Sequence, residues 1–230
     1  MSGPLVSCIV PCFQGVRYLA DALDSILAQT HRPIEPIVVD DGSTDGSAAV
    51  VRRFGAAVAY VHQPNRGAAA ACNRGVALAR GELIAFLEQD DLWEPDKLAR
   101  QVAALAAAPD RAFCVAHARN FWVPELAAEA ARHAGRRAAQ PVPGYVIQTL
   151  VARREAFERV GGFDESLPYT FATDWFLRAE DLGVRGLLLD DVLTHRRLHD
   201  ANTSRRNRAA SHDEFLHLVK ATLDRRRDRR

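Results

Sequence analysis

Two periodicities alternate through the first half of the chain. Short apolar, β-branched runs at 5–10, 34–39, 58–61 and 83–87 have the length and composition of strands covered on both faces of a parallel sheet. Between them apolar residues recur at helical spacing. Leu19, Ala22, Leu23, Ile26 and Leu27 predict a helix over 18–27. Thr44-Asp45 offers an N-cap for a helix over 47–54, and Gly81 closes an alanine-rich helix over 68–79. Pro95 opens another that runs to about Ala108. Repeated β-α-β order with short connections predicts an α/β fold with a parallel, doubly wound sheet.

The second half is less regular. A strand is expected over 113–118, and 123–143, rich in Ala, Arg, His and Pro, predicts a short helix with a mobile loop. Residues 149–160 read as a strand running into a helix, and Gly161-Gly162-Phe163-Asp164 as a turn. A helix over 174–182 and strands over 184–189 and 192–195 follow. Over 211–230, Phe215, Leu216, Val219 and Leu223 fall on one helical face, and the chain ends D-R-R-R-D-R-R. No internal repeat or Gly/Ser or Pro linker divides the chain. Residues 1–205 therefore read as one domain, with an amphipathic helix and basic tail over 206–230.

Composition narrows the class only a little. A formal net charge of +1 over 230 residues gives no case for nucleic-acid binding. No apolar stretch approaches the roughly 18 residues of a membrane span. Met1-Ser2-Gly3-Pro4 leads straight into a strand-like segment, with no room for a signal peptide. Cys8, Cys12, Cys72 and Cys114 form no C-x-x-C pair and sit among apolar residues, which predicts buried free thiols and a cytoplasmic protein.

The chemistry gathers where apolar runs stop. In G-E-L-I-A-F-L-E-Q-D-D-L-W, residues 81–93, the run ends in Glu88, Asp90 and Asp91. The carboxyl ends of parallel strands are where open α/β sheets bind ligands. Hard oxygen donors there favour Mg2+ or Mn2+, and with it a phosphate-bearing substrate. The plainer reading is a solvated acidic turn before the helix that Pro95 begins. Two further polar clusters, Pro11-Cys12-Phe13-Gln14-Gly15 and Asp40-Asp41-Gly42-Ser43-Thr44-Asp45, also follow strand-like runs, so a parallel sheet brings all three to one edge. Neither G-x-G-x-x-G nor G-x-x-x-x-G-K-[ST] occurs, so phosphate must be held through a metal and arginines, with Arg66 and Arg74 as candidates.

The order of these motifs resembles family 2 glycosyltransferases of the GT-A fold. The resemblance is carried by Pro11–Gln14, Ser25–Gln29, Val39–Asp45, Asn65–Gly75, Gly81–Asp91, Thr173-Asp174-Trp175 and the closing R-L-H-D-A-N-T-S of 197–204. It extends from about Val6 to Ser204. It implies a GT-A Rossmann-like three-layer sandwich with a central mostly parallel sheet, a nucleotide-binding half over 1–110 and an acceptor-side half over 111–205. It implies a metal-dependent, inverting transfer from a nucleotide-diphospho-sugar, most simply a UDP-sugar, to a glycan, lipid-linked or small-molecule hydroxyl acceptor in polysaccharide or glycoconjugate synthesis.

Residue by residue, the resemblance places Asp41 on the nucleotide base, with Pro11, Phe13, Arg66 and Asp90 on the nucleotide-sugar. Asp91 and His199 would hold Mn2+ or Mg2+. Asp174 would be the general base that takes the acceptor's proton. Asp40 is expected only to satisfy loop amides, and Trp175 either stacks on a sugar or anchors the core. The sequence departs from the family pattern at Glu88, Gln14, Cys72 and Thr173, where aspartate, asparagine, arginine and a further acid are usual. Two other classes remain in view. A nucleotidyltransferase would carry a basic glycine-rich loop after the first strand, which Pro11–Gln14 lacks. A catalytically degenerate glycan- or partner-binding module is the second. The arginine-rich end reads as a solvated tail, a peripheral contact for an anionic membrane at its inner face, or a protein dock.

Overall fold

The computed structural model describes residues 3–228. Strands β1 (Val6–Cys12), β2 (Ile34–Asp40), β3 (Ala59–His62) and β4 (Leu83–Phe86) pair in parallel in the order β3-β2-β1-β4. Helices α1 (Leu19–Leu27), α2 (Ser47–Arg52) and α3 (Ala68–Leu78) are the crossovers. Alternation along β1 sorts the core into two layers. Cys8 and Val10 pack with Leu19, Leu23 and Ile26 of α1, while Ile9 packs with Ala71 and Cys72 of α3. Two glycines allow the close approach. A Cβ on Gly75 would sit 2.3 Å from Ile9 Cγ2, and one on Gly81 would sit 2.6–2.7 Å from backbone atoms of Leu5, Ser7 and Leu83.

The sheet continues through the second half without a break. After the two-residue β5 (Leu92–Trp93) and α4 (Lys97–Ala107) come β6 (Phe113–Trp122), α5 (Ala127–His133), β7 (Val142–Pro143) and β8 (Val151–Arg153). Then follow α6 (Arg154–Val160), α7 (Phe171–Asp181), β9 (Gly186–Leu198), α8 (Thr203–Arg206) and α9 (Arg208–Asp228). The strand order is β3-β2-β1-β4-β8-β6-β9-β5, with β7 on β6. β8 runs antiparallel to β4 and β6, whereas the long β6–β9 ladder is parallel. α3, α6 and α7 cover one face around Phe86, Phe163 and Trp175, and α1, α2 and α4 cover the other. This is a three-layer α/β sandwich with a largely parallel sheet.

Three elements differ from expectation, each for a tertiary reason. The strands expected over 184–189 and 192–195 are one strand, because Leu189 and Val192 pair with successive residues of β6 and Asp190-Asp191 bulge out between them. That ladder also carries β6 to Trp122, beyond its apolar run. Lone pairs of contacts, Leu92 with His195 and Trp93 with Thr194, create β5 and tie the acidic loop to β9.

α9 packs on α7 through a face other than the one its apolar residues suggest. Leu218 and Thr222 are buried, whereas Phe215, Leu216 and Leu223 face outward. Arg226 of the basic run is bound by Asp181 and Glu180. Arg229 and Arg230 lie outside the described residues. All four cysteines are buried free thiols. Among the described residues no helix is long and apolar enough to cross a membrane.

Candidate active site

The ends of four strands and helices α3, α7, α8 and α9 enclose one pocket. It is lined by Pro11 and Phe13 after β1, Asp41 after β2, Glu88–Asp91 after β4, and Arg196 near the end of β9. Tyr169 and Phe171 at the start of α7, Thr203 and Ser204 of α8, and Ser211 of α9 complete the wall. The loops lie at the carboxyl edge of the parallel strands, as the order of the clusters requires.

Asp41 is 2% exposed and is positioned by its own neighbourhood. Its Oδ1 accepts from Gln63 Nε2 and the Arg66 backbone N–H, and its Oδ2 from the Gly67 N–H. A carboxylate has about four acceptor sites, so one remains for a ligand at the pocket wall. Asp40 is occupied as expected, accepting from the Ser43 N–H and the Tyr60 hydroxyl. Phe13 is held by a two-way bond: its N–H donates to Gln89 Oε1 and its carbonyl accepts from Gln89 Nε2. Gln14 keeps a loop bond of its own, to Thr44 Oγ1.

The acids form the electrostatic centre. Glu88, Asp90 and Asp91 each offer an oxygen, and these atoms lie within 4.8 Å of one another. Asp91 is 1% exposed; its Oδ1 accepts from the Arg197 backbone N–H, but its Oδ2 is buried with no partner. Burial, and then the neighbouring carboxylates, raise the Glu88 pKa to about 7 and push Asp91 well above the usual carboxylate range. Three crowded oxygens, one of them orphaned, fit a hard divalent cation, whose charge would replace the missing partner and relieve the repulsion. Glu88 belongs to this group although aspartate is usual there.

The outer supports come from β9. Arg197 Nε donates to the Asp90 carbonyl and Nη2 to Asp21 of α1, while its guanidinium lies 4.5 Å from the centre of the Tyr18 ring. The Ala201 N–H donates to His199 Nδ1, which leaves the ring proton on Nε2 to donate to Asp90 Oδ2 at 2.8 Å. Asn202 Nδ2 donates to the same oxygen.

Three of the expected residues have other partners or positions in this structure. His199 Nε2 lies 2.8 Å from Asp90 Oδ2, so His199 supports Asp90 and stands outside the group of three acids. Arg66 reaches the site only through its backbone; its guanidinium pairs with Glu165 and does not line the pocket. Asp174 does not line this pocket. It sits in the first turn of α7, 6% exposed, and its carboxylate accepts from Arg178 Nε four residues on. Arg178 also binds the Val160 and Gly162 carbonyls, so the pair pins the turn before α7. Asp174 borders a separate groove between α7 and α9, while Phe171 and Tyr169 occupy the wall where a base would stand. A helix places a side chain by its angle around the axis, and T-D-W alone does not give that angle. Trp175 is a core residue, fully buried with Nε1 donating to the Gly161 carbonyl.

An Asp174→Asn variant should accordingly bind UDP within about twofold of wild type while losing roughly 1 kcal/mol of stability from the half-broken pair. Parallel calorimetric and thermal titrations check this, and loss of sugar transfer by the same variant at unchanged UDP affinity would support Asp174 as the base.

This three-layer α/β sandwich, with its acid-rich pocket at the carboxyl ends of the strands, has the GT-A fold of the solved glycosyltransferases it superposes on. Solved structures agree. The chain superposes on S. aureus TarS in complex with UDP with a TM-score of 0.70 at 17% identity, covering 96% of this chain and 64% of that one. It superposes equally on the mannosyltransferase PcManGT of Pyrobaculum calidifontis, in complex with GDP-Man and Mn2+, with a TM-score of 0.70 at 24% identity, covering 96% and 65%. The chain belongs to glycosyl transferase family 2, whose model matches residues 7–164. An uncharacterized glycosyltransferase of Rickettsia typhi is 33% identical over 218 residues, 87% of this chain and 66% of that protein. The putative teichuronic acid biosynthesis glycosyltransferase TuaG of Bacillus subtilis is 39% identical over 103 residues, 43% of this chain and 41% of that protein. The chain thus spans just under two thirds of the length of the Rickettsia relative.

Proposed function

We propose that the protein transfers a sugar from a nucleotide-diphospho-sugar, with a UDP-sugar as donor and Mn2+ or Mg2+ as cofactor. The observation that carries this reading is one pocket holding both Asp41 and the Glu88–Asp91 cluster. Asp41 offers its remaining acceptor site to a base N–H, a donor that uracil carries. Pro11 and Phe13 wall the nucleotide, and Glu88, Asp90 and Asp91 would hold the cation against the pyrophosphate. Bound there, the metal would neutralise charge as the nucleoside diphosphate departs. His199, Asn202 and Arg197 keep Asp90 and Asp91 aimed at that position. All four pocket carboxylates are engaged with loop amides or grouped for the cation, so none is free to form a covalent sugar intermediate. That arrangement supports a single displacement with inversion over a route through a covalent sugar intermediate. Membrane contact through the basic end of α9 is not included, since Arg226 is held by Glu180 and Asp181 and Arg227 by Asp224.

The test is calorimetric titration of UDP and GDP with Mn2+ and again with a chelator, followed by a donor screen read as nucleoside diphosphate release. UDP binding that requires the metal is expected. Equal binding in chelator, or none in either condition, would overturn the assignment. A module that binds donor without consuming it is the second reading, favoured by the absence of Asp174 from the pocket, and the donor screen separates the two.

A further inference from the structure

The segment between β6 and β8 runs back along β6 and carries positive charge that no acid balances. The Trp122 ring stacks on His133 of α5 at 5.9 Å, Asn120 Nδ2 donates to the Ala138 carbonyl, and Val142 and Pro143 of β7 pair with Ala118 and His117. These contacts lay the segment along one flank of β6. Arg132, Arg136 and Arg137 are exposed there, and none has a carboxylate within ion-pair distance among the described residues. The segment's own acids are engaged elsewhere, Glu125 with Arg17 and Glu129 with Arg205. On the β9 bulge, Asp191 pairs with Arg100, and Asp190 stands across β6 from the segment. Apolar side chains follow the arginines. Val142, Tyr145 and Val146 are all exposed, with the Tyr145 ring held 5.4 Å from that of Phe176.

Unpaired arginines by themselves attract any polyanion. A nucleic acid or an acidic peptide would use the charges but give the two valines little apolar surface to bury against. At the headgroup boundary of a bilayer both needs are met, since the guanidiniums reach lipid phosphates while valine and tyrosine side chains leave water. We infer that the 132–146 segment is a peripheral contact for an anionic lipid bilayer. The end of α9 is the poorer candidate, because Arg226 and Arg227 are held by acids. The segment is also joined to the pocket wall: Glu129 binds Arg205 of α8 through both carboxylate oxygens, and Thr203 and Ser204 of α8 line the pocket. Neither the charge nor the exposure depends on what the pocket binds, so this contact is independent of the donor reading.

The experiment is co-sedimentation of the full chain with vesicles of phosphatidylcholine alone and with about 30% phosphatidylglycerol added. Binding to the anionic vesicles only is expected, weakening at least about tenfold between roughly 50 and 500 mM NaCl. Changing Arg132, Arg136 and Arg137 together to Gln should cut the partition coefficient roughly 100-fold. Because the three side chains have no partner, Tm should stay within about 2 °C of wild type. An Arg225→Gln, Arg227→Gln double variant should partition within about threefold of wild type. The Tyr145→Trp variant should shift its emission to shorter wavelength on anionic vesicles. Equal binding to both vesicle types, or to neither, would overturn the inference, as would a triple variant that partitions like wild type. So would poly(uridylic acid) or polyglutamate binding in place of the vesicles, which would mark a nucleic-acid or an acidic-protein surface instead.

Discussion

Asp91→Asn should weaken Mn2+-dependent UDP binding by roughly 100-fold or more, about 3 kcal/mol, and at the same time raise the stability of the metal-free protein. The two signs come from one fact. Asp91 Oδ2 is buried without a partner beside two other acids, so ionising it in the unliganded fold is costly, and a cation would remove that cost. Asparagine keeps Oδ1 for the Arg197 N–H and sheds the charge, so the loop should stay in place. The pH dependence follows with its sign. Burial and the neighbouring acids raise the Asp91 pKa above its unfolded value, so the folded chain holds the proton more tightly. Its contribution is therefore full at low pH and is lost as pH rises through the folded pKa. The asparagine variant should lack that decline, and wild-type protein should recover stability when Mn2+ is added. Thermal unfolding from pH 4 to 8, with and without metal, reads all of this. A variant that binds UDP normally, or that is destabilised by several kcal/mol, would sink the assignment.

Lys97→Met is expected to stabilise the protein by about 1–3 kcal/mol at pH 7, a rise in Tm of roughly 3–8 °C. Lys97 opens α4 with no solvent exposure, its Nζ has no hydrogen-bond partner, and it stands 4.2 Å from the centre of the Trp93 ring. Burial lowers its pKa from 10.5 to about 7. Between those values the unfolded chain carries a proton that the folded chain does not, so stability rises with pH across that window. Methionine fills a similar volume, brings no charge to bury, and should flatten the rise between pH 7 and 10. Chemical denaturation at several pH values decides it. A less stable methionine variant would mean that the contact with Trp93 outweighs the burial cost.

The first half of the chain was legible because local and tertiary signals coincide there. In β1, β2 and β4 the apolar runs are the strands, and the polar clusters after them reach the pocket because parallel strands must end on one edge. The second half was legible only in part. Asp190-Asp191 looked like the end of a strand, since a bulge and a break have the same polar pattern until the partner strand is known. Arg196 and Ser211 carry no local signal; they join the site through the β6–β9 ladder and the docking of α9. Asp174 shows the converse case: a motif match supplied the residue type, whereas the helix angle and the Arg178 pair that place its carboxylate carry no local signal.

The most direct measurement is the anomalous scattering of Mn2+ in a crystal grown with UDP. The account predicts one strong peak bounded by Asp91, Asp90 and Glu88, with the pyrophosphate on its open side and uracil against Asp41. A nucleotide bound away from those residues, or a manganese peak elsewhere with this cluster still empty, would contradict it.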